Sequence, residues 1–345
     1  VRIIDKNALL SEQSLPRGSV VVIGMDNPNY QDLSSVISSV ASGLDLSVVS
    51  LSSGLGAEEL PDWGGRHFRL LERPQIALMG HQDFSSYDVG VSWWSLDHHL
   101  GIRHSMVNGS SLNYGDLRRY NTIIMPSGYQ NLSNSEMNSL KEWIRQGGTL
   151  IAHNASSRSL SYENGIGSVR QVSGTFDKSE EYNMDLQREF GALNIEIDMA
   201  ETNKNRLDHD VEYPWEGSSN KYNKAQLEKR DEWQSLFMPS GAFVAGRIDD
   251  EHWLTFGTID TLPVLYSNLP VLMTGGNSEA AVRIGEIVQS DEETYRTINW
   301  SDMPPKTDLN VRMSGLVWPE ASQRIANSAY LTRERIGRGQ VILFA

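Results

Sequence analysis

Cysteine is absent from this sequence of 345 residues. The chain therefore has no disulfide framework, no thiolate nucleophile and no cysteine-ligated zinc or iron–sulfur site. An excess of basic charge is also lacking, since the formal net charge at pH 7 is −14. Because binding to the phosphate backbone of nucleic acids depends on clustered Lys and Arg, we expect no nucleic-acid partner.

Long apolar runs are missing as well. The longest, such as residues 20–23 and 341–344, are far shorter than the roughly 20 residues that a transmembrane helix needs, so we expect no membrane span. Val1 leads directly into an apolar run without a Met or a leader, which we interpret as part of a longer or processed protein. Hydrophobic residues make up 39% of the chain, enough for one large or two modest domains.

Short β-rich runs alternate with segments of helical period, and this alternation is typical of α/β architecture. Ser133 and Glu136 form a potential capping box, and Gly147 and Gly148 can end the helix that follows it. The lengths predict a doubly wound, mostly parallel sheet with a ligand crevice beyond the carboxyl ends of its strands. In this part we predict strands at 75–79, 103–107, 121–125 and 149–152, and helices at 89–100 and 133–145.

The remaining segments are assigned with the same signals. We predict a smaller N-terminal α/β subdomain over 1–72, with a buried parallel strand at 19–24, a helix at 30–41 and a strand at 47–51. The larger domain then covers 73–345 and contains a polar insertion at about 155–235. Beyond the insertion we predict strands at 242–248, 263–266, 270–274 and 340–344, and a helix at 278–288 whose N-cap is Ser278.

Several segments, taken in order, resemble a known family. They are residues 76–80, 89–94 (VGVSWW), 120–128 (YNTIIMPSG), 140–154 (LKEWIRQGGTLIAHN) and 334–345 (ERIGRGQVILFA). Together they are similar to the class I glutamine-amidotransferase-like domain that follows the peptidase domain of some bacterial zinc carboxypeptidase-like proteins. The resemblance implies a glutamine-amidotransferase or flavodoxin-like fold, an upstream peptidase domain as partner, zinc in that missing domain only, and a periplasmic or secreted location.

The resemblance does not bring catalytic residues with it. Active class I amidotransferases carry a cysteine on the elbow between a strand and a helix, whereas residues 153–156 here read His-Asn-Ala-Ser. Glutaminase chemistry needs a covalent acyl-enzyme formed by an activated nucleophile, so this chain cannot perform it. The resemblance therefore implies a non-catalytic accessory or interaction domain, with no catalytic residue, no metal site and no cofactor of its own.

A carboxypeptidase-type zinc site needs a His-x-x-Glu pair and a distant His. His209 and Glu212 have that spacing, but they lie in the polar stretch, which we interpret as a surface loop. Asp97, His98 and His99 are neighbours in sequence, yet adjacent helical residues point about 100° apart and do not converge on one ion. We expect the zinc ligands of any peptidase to lie outside this chain.

Polar residues follow three of the predicted strands. They are His81, Gln82 and Asp83 after the first, Ser127, Gly128 and Tyr129 after another, and His153 and Asn154 after a third. Because the carboxyl ends of parallel strands meet at one edge, His81, Asp83, Ser127, Gly128, His153 and Asn154 form the candidate crevice. Such a crevice is either a satisfied loop network or a pocket for a peptide or small polar ligand.

Two alternatives remain open at this point. The first is a hydrolase that uses Ser127 or Ser156 with His153, although no Gly-x-Ser-x-Gly elbow supports it. The second is an amidotransferase-like domain of the kind that some β-galactosidases use for contacts between subunits, which is an oligomerisation role in a glycosidase.

Overall fold

The structure is a computed structural model that describes residues 1–56, 61–81, 83–112, 116–128, 132–192, 223–291, 293, 296–298 and 300–345. The chain divides into two compact units, Val1–Arg73 and Pro74–Ala345. Among the described residues, no helix combines the length and apolarity needed to cross a bilayer.

The first unit is built from short antiparallel strands and one helix. Its elements are β1 (Arg2–Ile4), β2 (Ala8–Leu10), β3 (Gln13–Leu15), β4 (Val20–Val21), α1 (Leu33–Gly43) and β5 (Phe68–Leu70). Strand β1 lies between β4 and β5, and both pairings are antiparallel. A small core of Ile4, Ala8, Leu10 and Phe68 holds these strands together.

Two predictions for this unit are wrong. The segment 19–24 is a two-residue antiparallel strand whose Val20 is 60% exposed, and not a buried parallel strand. The segment 47–51 forms no strand, and its valines Val48 and Val49 are exposed. Runs of β-branched residues favour strands, but such a run becomes a buried strand only where tertiary packing supplies neighbours on both faces.

The second unit contains one large mixed sheet with helices packed against it. Its elements are β6 (Ile76–Gly80), α2 (Ser86–Trp94), β7 (His104–Asn108), β8 (Thr122–Met125), α3 (Asn134–Arg145), β9 (Thr149–His153), α4 (Ala155–Leu160), β10 (Arg170–Gln171), α5 (Ser179–Ala192), α6 (Lys224–Ser235), β11 (Ser240–Ile248), β12 (Thr261–Ser267), β13 (Leu272–Met273), β14 (Ser278–Ile284), β15 (Glu286–Gln289), β16 (Arg296–Ile298), β17 (Ser301–Met303), β18 (Thr307–Asn310), β19 (Arg312–Ser314), α7 (Pro319–Ile325), β20 (Ala329–Ile336) and β21 (Gly339–Phe344).

The main path of the sheet has the order β12-β11-β14-β20-β21-β9-β8-β6-β7. The half from β21 to β7 is parallel, as the α/β alternation predicts. From β12 to β21 every pairing is antiparallel, which the sequence patterns did not predict. Strand β6 is buried along its whole length, as a strand covered on both faces should be.

Helix α3 shows how local sequence signals position the parallel half. The Ser133 backbone N–H donates to the Glu136 carboxylate at 2.8 Å, and the Glu136 N–H donates to the Ser133 hydroxyl at 3.3 Å, so the predicted capping box is confirmed. The Trp143 indole donates to the Tyr120 carbonyl at 3.1 Å. A Cβ on Gly148 would lie 2.4 Å from that indole, so the close approach of ring and backbone requires glycine.

The prediction of a helix at 278–288 is wrong. Residues in this segment form β14, which pairs with β11 and β20, and then β15. Ser278 is therefore not a helix N-cap, and its hydroxyl instead donates to the Gly275 carbonyl at 2.9 Å within a turn that leads into a strand.

Part of the predicted polar insertion belongs to the core. Leu160, Ile166, Val169 and Val172 are buried with the main hydrophobic cluster, and α5 buries Leu186 and Phe190. The Arg283 guanidinium, 5% exposed, binds the Glu189 carboxylate in a bidentate pair at 2.6 Å, which ties α5 to β14. The segment that includes His209 and Glu212 lies outside the described residues.

Candidate functional site

The candidate crevice lies where β6, β8 and β9 end. These three strands are parallel neighbours, so Gly80, Met125 and His153 end at the same edge of the sheet. The loops that follow them are joined by backbone contacts: Phe84 forms a β-bridge with Gly128, and the Ser85 N–H donates to the Ser127 carbonyl at 2.8 Å. The structure therefore brings the three predicted loops together.

The first loop turns sharply at His81. This residue has a φ of +77°, and its carbonyl accepts from the Phe84 N–H at 3.1 Å. The side chains of His81 and Asp83 are exposed. Gln82 and Tyr129, which the sequence also suggested for this edge, lie outside the described residues.

Gly128 is required by the contact between the first two loops. A Cβ at this position would lie 2.6 Å from the Asp83 carbonyl oxygen and 2.7 Å from the Phe84 ring. Real Cβ atoms essentially never come that close to backbone, so any other residue would push the loops apart. Gly128 thus allows the two loops to meet and offers no side chain to a ligand.

The third loop is an elbow between β9 and α4. Asn154 has φ +46° and ψ −111°, a combination that is unfavourable for residues other than glycine and stores about 1–3 kcal/mol of strain. Its N–H donates to the Phe344 carbonyl at 3.0 Å, which holds the elbow against β21. In α/β hydrolases a strained elbow of this kind presents the nucleophile at the end of the sheet. Here the elbow residue is an amide, which is not a nucleophile.

The nearby serine hydroxyls make hydrogen bonds to the loops. The Ser127 hydroxyl accepts from the Ala155 N–H at 3.4 Å and is buried. The Ser156 hydroxyl donates to the Pro126 carbonyl at 2.5 Å, and Ser156 is 2% exposed. The Ser156 proton is therefore bound by a backbone carbonyl, and the Ser127 oxygen accepts from a backbone amide.

His153 is positioned by packing. Its ring meets the Phe344 ring edge-on, with centroids 5.1 Å apart. Burial lowers the pKa of His153 below its ordinary value, and the Asp88 carboxylate offsets part of that effect. Within the described residues, no hydrogen bond joins the imidazole to Ser127 or Ser156. The pair of groups that a Ser/His hydrolase needs is therefore not assembled in this geometry.

The residues that suggested a metal site lie at the end of α2, where a π-helical turn covers Ser95–His99. The Trp94 indole stacks on His98 with centroids 4.1 Å apart and donates to His99 Nε2 at 3.2 Å. These contacts hold the two imidazoles on the indole. In the part of the chain that the structure describes, no group of three or more His, Asp or Glu side chains is placed to hold a metal ion.

The structure also contains a concave region that the sequence patterns did not indicate. It is lined mainly by residues of 161–185 and lies apart from the sheet edge. No side chain of the candidate crevice borders it. A cluster of acidic residues with Tyr162, Phe176 and Tyr182 among them is the signal that could have indicated it. Helical and turn patterns explain the same residues, which is why that signal is weak.

Comparison with known proteins does not assign a family. No family model matches the sequence, and no curated protein matches it. Among solved structures, a β-galactosidase from Bacillus circulans sp. alkalophilus matches with a TM-score of 0.39 and 11% identity, over 79% of this chain and 28% of its own. Putative ThuA-like proteins from Parabacteroides merdae and Bacteroides uniformis match with TM-scores of 0.39 and 0.36 and identities of 11% and 10%.

The shares of the chains differ between these matches. The alignment covers 79% of this chain and 79% of the Parabacteroides protein, and 81% and 85% for the Bacteroides protein. By contrast, the chain spans less than a third of the length of the β-galactosidase. At TM-scores below 0.5 these likenesses carry no conclusion about function.

Proposed function

We propose that this chain is a non-catalytic accessory domain with a glutamine-amidotransferase-like fold, part of a larger zinc carboxypeptidase-like protein that acts in proteolysis outside the cytoplasm. The family resemblance of the sequence segments supports the choice of parent. The parallel order β9-β8-β6-β7, with a strained elbow after β9, supports the fold. In this proposal the domain packs beside the peptidase domain and shapes access to it.

The observation that carries the non-catalytic part is Asn154. The backbone of the elbow has the strained geometry of a nucleophile position, yet it holds a carboxamide. The hydroxyls of Ser127 and Ser156, which the sequence suggested as nucleophiles, accept from and donate to neighbouring backbone, respectively. No acyl-enzyme can form without a reactive atom at this point.

A turnover assay tests the absence of catalysis. The purified chain is incubated with glutamine, an activated ester and an aryl glycoside, beside a His153→Ala variant. We expect no product above the buffer rate from either protein. Turnover that disappears in the His153→Ala variant would contradict the proposal and would support the hydrolase alternative instead.

A zinc assay tests the proposed parent. The full-length protein that contains this chain is purified, its metal content is measured, and its cleavage of a blocked dipeptide with a free C-terminus is followed. We expect bound zinc and peptidase activity, both retained in a His209→Ala variant, because the ligands then lie outside this chain. Zinc lost in that variant, or a full-length protein without any zinc peptidase domain, would overturn the proposed parent.

A further inference from the structure

The second concave region is a cleft of about 680 Å³. It lies between the loop that follows α4, helix α5, the start of α6 and the turn at Gly275 and Gly276. A volume of this size is in the range of sites for small ligands or for one or two side chains of a peptide. We call this region the polar cleft.

The polar cleft has more negative than positive side chains. Five carboxylates line it, against three cations. The carboxylates are Glu163, Asp177, Glu181, Asp185 and Glu228, and the cations are Arg170, Lys178 and Lys224. Even when each cation is matched to one carboxylate, two negative charges remain, so a ligand with positive charge is favoured.

The ion pairs inside the polar cleft do not block it. Lys224 binds Asp177 at 2.7 Å and Lys178 binds Glu181 at 3.4 Å, and all four side chains are more than half exposed. Ion pairs between exposed side chains contribute about 0–1 kcal/mol each. A ligand cation can therefore displace either lysine from its carboxylate with little loss.

Aromatic side chains line the same cleft. Tyr162 is 58% exposed, Phe176 is partly buried, and Tyr182 belongs to the hydrophobic core. The faces of aromatic rings attract cations because of their quadrupole, by about 0.5–2 kcal/mol. Carboxylates together with aromatic rings are the chemistry that proteins use to bind ammonium and guanidinium groups.

Tyr182 is the group that points most directly to a ligand. It is only 9% exposed, its side chain borders the cleft, and within the described residues its hydroxyl has no hydrogen-bond partner. The buried side-chain atoms that lack a partner among the described residues are Trp63 Nε1 and Arg158 Nε, so the Tyr182 hydroxyl itself is accessible to solvent. It can therefore accept a hydrogen bond from a ligand in the cleft. Burial raises the pKa of Tyr182, and the charges of Glu181 and Asp185 add to that rise while Arg170 opposes it, so the phenol stays neutral at physiological pH.

The turn beside the Tyr182 ring also fixes the Asp185 carboxylate. The Gly276 N–H donates to the Asp185 carboxylate at 3.1 Å. A Cβ on Gly275 would lie 3.0 Å from the Tyr182 ring and 3.4 Å from that carboxylate, so turn, ring and acid are in close contact. The Ser168 hydroxyl donates to the Gly275 carbonyl at 3.0 Å and holds the turn in place.

We propose that the polar cleft binds the basic side chain of a peptide, with Asp185 and the Tyr182 hydroxyl as acceptors for its ammonium or guanidinium group and Tyr162 against its aliphatic stem. The charge excess selects a cation, and the aromatic rings select an organic cation over a metal ion. The inference concerns a site apart from the sheet edge and does not depend on the proposed parent protein.

Matched peptides test the charge requirement. Binding to the purified chain is measured by titration calorimetry with acetyl-Gly-Lys-Gly-amide and with the same peptide in which norleucine replaces lysine. We expect the lysine peptide to bind at least ten times more tightly, and its affinity to fall as salt rises. An arginine peptide with its citrulline counterpart shows whether guanidinium is preferred to ammonium.

Matched variants locate the site. We expect Asp185→Asn and Tyr182→Phe each to weaken binding of the lysine peptide about tenfold, while Asp97→Asn and Tyr87→Phe, exposed positions away from the cleft, leave it unchanged. Circular dichroism confirms that each variant is folded. The proposal is overturned if the norleucine peptide or maltose binds as tightly as the lysine peptide, if no peptide binds, or if the control variants weaken binding equally.

Discussion

The sheet edge at the elbow and the polar cleft are both formed by loops, but their polar groups are used in opposite ways. At the edge, the hydroxyls of Ser127 and Ser156 bind the backbone of the neighbouring loops. In the cleft, the Tyr182 hydroxyl lacks a partner within the described residues, and carboxylates outnumber cations. The two serine hydroxyls of the edge thus connect its loops, whereas the cleft keeps polar groups that can bind the ligand we propose for it.

The difference also concerns where the fold leads one to expect a ligand. The carboxyl edge of a parallel sheet is where α/β proteins usually bind ligands. In this chain the loop contact at Gly128 and the Phe344 contact of the elbow hold the loops of that edge in place. The polar cleft, which we propose as a binding site, uses elements that follow α4, together with the turn that joins β13 and β14. Function belongs to the groups that are present and not to the fold.

The largest effect is expected from the core beneath the elbow. Leu150 on β9 is fully buried, so Leu150→Ala should lower the free energy of unfolding by about 2–5 kcal/mol. Tyr162→Ala in the polar cleft removes a side chain that is 58% exposed and should change it by less than about 0.5 kcal/mol. Urea unfolding measures both, and equal losses would contradict the contrast between the buried core beneath the elbow and the exposed wall of the cleft.

A smaller loss is expected from the hydroxyl that ties the elbow helix to the neighbouring loop. Ser156→Ala leaves the Pro126 carbonyl without this donor and should cost about 1–3 kcal/mol of folding free energy. Ser159 on the same helix is a matched control, because its hydroxyl only donates to the Ala155 carbonyl one turn earlier. If Ser159→Ala lowered the free energy of unfolding as much as Ser156→Ala, the hydrogen bond between the loops would contribute no specific stability to the edge.

The strain at Asn154 predicts a gain in stability. Asn154→Gly should raise the free energy of unfolding by about 1 kcal/mol, because relief of 1–3 kcal/mol of strain exceeds the entropy that glycine loses on folding. Asn154→Ala cannot adopt this backbone more easily and should not stabilise the chain. Thermal unfolding of both variants tests this, and a glycine variant less stable than the wild type would show that the elbow is not strained.

The smallest effect concerns the protonation of His153. Its folded-state pKa is lowered by burial, so the unfolded chain binds the proton more readily. The stability that follows from the neutral imidazole is present above the unfolded pKa of about 6.5 and is lost as pH falls below it. His153→Gln should therefore unfold with less pH dependence between about pH 7 and 5. NMR titration should give His153 a pKa below 6.5, and a higher value would contradict its burial.

Glu279 provides an independent pH test in the antiparallel half. Hydrogen bonds from His252 and Arg333 lower its pKa to about 2, against the cost of burial. Its contribution to stability is present above the unfolded pKa of about 4.5 and is lost as pH falls toward 2. Because the Glu279 side chain is 52% exposed, solvent screening makes this contribution small. Glu279→Gln should reduce the acid sensitivity of unfolding between pH 5 and 2, and an unchanged acid transition would contradict these contacts.

The parallel half of the sheet could be predicted because its signals are local. The capping box at Ser133, the glycines after α3 and the continuous apolar runs of β6 and β9 each specify an element without reference to distant residues. The grouping of His81, Ser127 and His153 at one edge followed from the rule for parallel strands. The strain at Asn154 could not be predicted, because it depends on how β9, α4 and β21 meet.

The antiparallel half could not be predicted because its pattern is ambiguous. In β14, the apolar residues Ala280, Ala281 and Ile284 fit a helical period as well as a strand, and only pairing with β11 and β20 decides between them. The polar cleft was missed for a related reason. Its residues come from separate elements, and charged residues at helical spacing in α5 read as a solvated helix face.

Covalent labelling of the elbow tests the central claim most directly. The chain is incubated with a fluorophosphonate and with a diazo ketone analogue of glutamine, and intact masses are measured. We predict no adduct on the wild type, whereas iodoacetamide should label Asn154→Cys once, because the chain has no other cysteine. An adduct on Ser127 or Ser156 of the wild type would contradict the proposal that this elbow carries no nucleophile.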